Sequence, residues 1–99
     1  MKVTYTDDAV ADFVDIGEYI ARDDPAAARR FLTDLRSFIL RVATTPRAYR
    51  LREEWGGNVR AARFGNYLVV FEMEADELLV LRIANGRRHI ARLLAGRLS

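Results

Sequence analysis

Cysteine is absent from this chain, and lysine and histidine are nearly so, with one of each. Without cysteine there is neither a disulfide framework nor a thiolate metal site, and one histidine among scattered carboxylates makes no recognisable ligand cluster. No metal and no cofactor is therefore expected. Long hydrophobic runs are missing too: the longest apolar stretch is a few residues, against the ~20 needed to span a bilayer. The opening MKVTYTDD has no apolar segment of the signal-peptide kind. These absences lead to the expectation of a soluble, cytoplasmic protein without a membrane partner.

What is present is enough to fold. A chain of 99 residues that is 51% hydrophobic and 10% aromatic can form one compact domain around one core. No repeat, low-complexity tract or linker divides it, so residues 1–99 are read as a single domain. The net charge is only +2, but its components are sorted along the chain. Up to Asp24 there are seven acids against Lys2 and Arg22; from Pro25 to Arg52 seven arginines face Asp34 alone; after Glu77 come five arginines and His89 with no acid. Arginine favours planar, bidentate contacts with carboxylates and phosphates, although an arginine-rich codon bias explains the excess as well.

Periodicity predicts the elements. Lys2 to Thr6 reads as a short strand, and Thr6, Asp7 and Asp8 offer N-cap oxygens and negative charge to a following helix. Val10, Phe13, Ile16 and Ile20 form the apolar face of that helix, while Asp8, Asp12, Asp15 and Glu18 form another stripe, expected to be solvated. A second helix starts with Asp24 as cap and Pro25 at its first position, and it stops before Thr45-Pro46. With so short a connection the two helices must fold back as an antiparallel pair. Beyond Pro46 the period changes to two. After the turn W-G-G-N (55–58) come V-R-A-A-R-F, the Gly65-Asn66 hairpin turn, Y-L-V-V-F-E-M-E, the turn A-D-E and L-L-V-L-R-I-A, an antiparallel meander. Ile90, Leu93, Leu94 and Leu98 suggest a short amphipathic tail helix, an exposed handle if nothing covers it. The predicted class is α+β: an N-terminal strand and helical hairpin packed on a small antiparallel sheet, with a short C-terminal helix.

Five segments, in order, carry a resemblance. They are A-x-x-D-F-x-x-I-x-x-Y-I (Ala9–Ile20), P-x-A-A-x-x-F-x-x-x-L (Pro25–Leu35), P-x-x-Y-R (Pro46–Arg50), G-N-V-R with G-N-Y-L-V-V-F-E (Gly57–Glu72), and V-L-R-I-x-x-G-R-R (Val80–Arg88). Together they resemble the ParE/RelE toxin superfamily, its ParE branch in particular. The resemblance implies the toxin of a type II toxin-antitoxin system, neutralised by a ribbon-helix-helix, ParD-like antitoxin that alone contacts operator DNA. ParE-like members are associated with poisoning DNA gyrase; RelE-like members cleave messenger RNA on the ribosome.

The side chains bear on that choice. Cleaving RNA through its 2′-hydroxyl needs a base, an acid and cationic stabilisation, and arginine supplies only the last. A metal-independent nuclease here would rest on Arg60, Arg82 and His89. Histidine titrates in the useful range, but an exposed histidine at the start of a tail helix also needs no catalytic role. Arg60 and Arg63, three apart in a strand, should point to opposite faces. A gyrase poison needs only surface complementarity, for which Arg60, Arg82, Arg87, Arg88 and Arg92 are the candidate contacts. Arg82 has the alternative of a cross-strand pair with Glu72. Val10, Phe13, Phe31 and Leu35 are the candidate antitoxin contacts, with core packing as their competing role.

Overall fold

The computed structural model describes the backbone of residues 1–98 and the side chains of residues 1–95. Its elements are β1 (Lys2–Tyr5), α1 (Asp7–Ala21), α2 (Pro25–Val42), β2 (Arg60–Phe64), β3 (Tyr67–Glu74), β4 (Glu77–Asn85) and α3 (Ile90–Leu98), with single 3-10 turns at Pro46–Ala48 and Glu53–Trp55. The α+β class and the order of elements are as the sequence predicts.

Local chemistry sets the helix starts. Thr6 Oγ1 accepts the Ala9 N–H at 3.0 Å and donates to the Leu81 carbonyl at 2.8 Å, so one hydroxyl caps α1 and ties it to β4. Asp24 Oδ1 accepts the N–H groups of Ala26 and Ala27, both at 3.1 Å, with Pro25 behind it. The hairpin closes tightly at Gly17. A Cβ there would lie 2.8 Å from Leu32 Cδ1, closer than packed carbons approach.

The sheet order is β1-β4-β3-β2. β2, β3 and β4 form the expected antiparallel meander; β2 and β3 are joined at Gly65-Asn66, where Gly65 takes the left-handed φ of +61°. β1 adds to the outer edge of β4 in parallel, Lys2 opposite Glu77 and Tyr5 opposite Val80, so the sheet is mixed. Strand periodicity alone does not reveal this, because the partner lies some 75 residues away in sequence.

Both faces of the sheet are covered. On one, Leu35, Ile39 and Val42 of α2 and Ile16 of α1 pack on Val69, Phe71, Val80 and Ile83. On the other, Trp55, Val59, Ile90 and Leu94 pack on Val70, Leu81 and Ala84. This explains the continuous apolar run of β3, whose neighbouring side chains enter opposite cores. Each large side chain withdrawn from water contributes roughly 1.5–3 kcal/mol.

Three expectations change. Trp55, read only as part of a turn, closes the second core and is 8% exposed, with the Arg52 guanidinium 3.9 Å from its ring centroid. The tail helix is no free handle: Ile90 and Leu94 are buried at 4% and 2%. Leu98 lies outside the residues whose side chains are described. Leu35, a candidate antitoxin contact, is wholly buried in the first core, where no partner reaches it.

Candidate functional site

β4 is the element around which the charged groups are arranged, and Arg82 within it differs from the arginines that follow its last residue, Asn85. β1 stops at Tyr5 because Thr6 turns the chain into α1, leaving the outer edge of β4 beyond Val80 without a strand partner. Helix α1 takes over that edge. Asp12, only 7% exposed, accepts the Ile83 N–H at 2.8 Å through Oδ2. The same carboxylate accepts Arg82 Nε at 2.8 Å through Oδ2 and Arg82 Nη2 at 2.9 Å through Oδ1, a bidentate fork. Three donors meet two oxygens, so the buried charge is well satisfied. The hydrogen bonds to Asp12 also raise the Arg82 pKa above its already high ordinary value.

A bulge contributes to the arrangement. Phe71 pairs with Val80 but Val70 pairs with Arg82, so Leu81 is an extra residue in β4. Two readings are corrected here. Asp12 departs from the solvated stripe of Asp8, Asp15 and Glu18, and Arg82 takes Asp12 as its partner, while the register sets Glu72 opposite Leu79.

Arg60 and Arg63 lie on opposite faces, as their spacing predicts: Arg60 pairs with Phe71 and Arg63 with Leu68, with regular register between. Arg60 Nη1 donates to the Tyr49 carbonyl at 2.6 Å, and its buried Nε has no hydrogen-bond partner among the described residues. The side chain borders a cleft of about 260 Å³ shared with Arg47, Asn58 and Met73. Arg82 is two strands away, roughly 10 Å at the usual strand spacing, and His89 is exposed beyond the end of β4. Arg60 and Arg82 are thus two strands apart, and both are engaged by other groups. Glu54, an exposed carboxylate shortly before Arg60 in sequence, is bonded to Arg52 at 2.8 Å, which holds its pKa below the usual carboxylate value.

Past the C-terminal end of β4 the surface is open. Arg87, Arg88 and His89 are exposed in succession, and Arg92 is exposed beyond the buried Ile90. A cleft of about 420 Å³ lies between the β2–β3 turn and the segment after β4, lined by Arg63, Asn66, Asn85, Gly86 and Arg87. Arg63 was not among the candidate contacts, but the meander register carries the signal: Tyr67 pairs with Asn85, which brings the two turns to the same end of the sheet. Among the described residues no group of three or more histidines and carboxylates is placed to hold a metal ion.

A second, apolar cleft of about 320 Å³ runs between α1 and α2, lined by Tyr5, Val10, Phe13, Val14, Leu32 and Arg36. Val10 and Val14 are 50% and 53% exposed. Burial in this region raises the Tyr5 pKa, opposed by the nearby Arg36 charge. Of the candidate antitoxin contacts, Val10 and Phe13 border this cleft, whereas Phe31 packs edge-on against Phe64 and Tyr67.

Comparison with known proteins gives a consistent result. Residues 3–90 match the family model described as ParE toxin of type II toxin-antitoxin system, parDE. A solved chain described as belonging to a chromosomal ParDE toxin-antitoxin system from P. aeruginosa superposes with a TM-score of 0.73 and 20% identity, over 86% of this chain and 95% of that one. At that identity the likeness is one of fold. No curated protein matches in sequence.

Proposed function

Because the chain belongs to the ParE toxin family of type II toxin-antitoxin systems, we propose that it arrests growth as a non-catalytic poison of DNA gyrase, blocking replication. The observation that carries this reading is the basic stretch past the end of β4, where Arg87, Arg88 and Arg92 are exposed and Arg87 shares a cleft with Arg63. A poison acts by binding a cleaved enzyme–DNA state more tightly than the others, which calls for a complementary surface and no acid–base pair. The ribonuclease alternative requires a base and an acid around the phosphate. Arg60 and Arg82, which would have to support it, are held by the Tyr49 carbonyl and Asp12.

The inhibitory partner is a cognate antitoxin of the ribbon-helix-helix, ParD-like kind, forming a hetero-oligomer through which operator DNA is reached. The apolar cleft at Val10 and Phe13 offers it a groove for an amphipathic segment. The target places the toxin in the cytoplasm, and among the described residues no helix is long and apolar enough to cross a membrane.

The test is a cleavage assay with purified gyrase, ATP and supercoiled plasmid, with this protein alone and then with its antitoxin. Protein-linked linear DNA should accumulate and disappear when antitoxin is added. The double charge reversal Arg87→Glu, Arg88→Glu should abolish accumulation in a protein that remains folded by circular dichroism. Absence of any cleavage complex with the wild-type chain would overturn the reading and redirect the test to ribosome-bound messenger RNA, with His89 and Arg60 the first residues to replace.

A further inference from the structure

The cleft between the two turns has features that a general basic surface lacks. Arg63 arrives from β2 and Arg87 from the segment after β4, so its two cations come from parts of the chain 24 residues apart. Neither has a carboxylate within 4.0 Å among the described residues, in contrast to Arg52 and Arg82, which both do. No acidic side chain lines the cleft; the remaining lining is Asn66, Asn85 and Gly86, neutral groups able to donate or to leave room. The frame is held by two hydrogen bonds: the Gly86 N–H donates to the Asn66 carbonyl at 2.9 Å, and the Arg87 N–H to the side-chain Oδ1 of Asn85 at 2.9 Å. Arg63 Nη1 donates to the Gly65 carbonyl at 3.2 Å, which sets the head in place, and its Nη2 faces Gly86, where a Cβ would make ordinary contact at 3.5 Å.

We infer that this cleft is a binding site for a backbone phosphodiester of DNA, with Arg63 and Arg87 as its cationic donors and Asn66 and Asn85 beside them. Two guanidinium groups on a preorganised frame suit the tetrahedral, singly charged phosphodiester. The contact is independent of base sequence, because a backbone phosphodiester is the same at every base. The inference rests on the gyrase reading for its biological setting: the phosphate would belong to the DNA held by the enzyme. Its chemistry can be tested without gyrase.

The experiment is an amide-resolved NMR titration of the full chain at low ionic strength with a 12-base-pair DNA duplex, repeated with inorganic phosphate and with polyglutamate. The duplex should shift the amides of residues 63–66 and 85–88 first. Arg63→Gln and Arg87→Gln should each weaken binding about threefold to tenfold and lower the slope of log affinity against log salt by about one, the signature of one lost phosphate contact. Inorganic phosphate should shift the same amides more weakly. Unchanged affinity in either folded variant, shifts confined to the α2 arginines, or response to polyglutamate in place of DNA would each overturn the site; the last outcome would assign the cleft to an acidic peptide. Duplex binding at the cleft without gyrase poisoning would leave the site standing and remove only its setting. Gyrase poisoning unaffected by Arg63→Gln, in a variant that still binds the duplex normally, would remove the site and leave the function.

Discussion

Arg82 and Arg87 are five residues apart in one basic segment, yet they occupy opposite situations. At Arg82 the chain is closed: a bulge, the end of β1 and the arrival of α1 combine so that Asp12 takes both the guanidinium and the Ile83 N–H. At Arg87 the strand has ended, no carboxylate among the described residues pairs with it, and the side chain lines a polar cleft. The lesson is that a run of arginines is not one surface. The first serves the edge of the sheet, and the second remains available for something outside the molecule.

The largest effect should come from the closed site at Arg82. Asp12→Ala strands a partly buried arginine and an edge N–H together, a kind of loss that typically costs about 3–5 kcal/mol. In a domain of this size each kcal/mol is worth roughly 4–8 °C, so the thermal midpoint should fall by well over 10 °C; a fall of only a few degrees would mean that water replaces the carboxylate readily. An intermediate effect is expected at Asp24, which also accepts two N–H groups but in the open. Asp24→Ala removes an N-cap and should cost about 1 kcal/mol, read from urea unfolding. A cost equal to that of Asp12→Ala would show that burial does not distinguish the two aspartates. The smallest effect belongs to the open end: Arg87→Gln should change stability by no more than about 0.5 kcal/mol, again by urea unfolding. A larger loss would mean that Arg87 supports the fold and is not free to bind.

Much of this arrangement was legible in advance, and the reasons are local. The cap at Thr6, the Asp24-Pro25 start, the break before Pro46 and the Gly65-Asn66 turn each act within a few residues, and the structure realises all of them. The alternation that separates Arg60 from Arg63 is likewise a property of a single strand. The tail helix was legible as an element but not as a packed one, because Ile90 and Leu94 are covered only when the second face of the sheet meets them.

Asp12 marks the boundary most clearly. On its helix it has the same spacing as Asp8, Asp15 and Glu18, and nothing within one turn distinguishes it. It becomes the buried member because β1 ends where it does and a bulge in β4 presents Arg82 and the Ile83 N–H to that one position. Sequence was therefore sufficient for whatever depends on neighbours along the chain: element types, caps, turns, the family resemblance and the concentration of positive charge after Glu77. Which arginines are engaged and which are open depended on contacts 70 residues apart, and those exist only once the helices have been laid across the sheet.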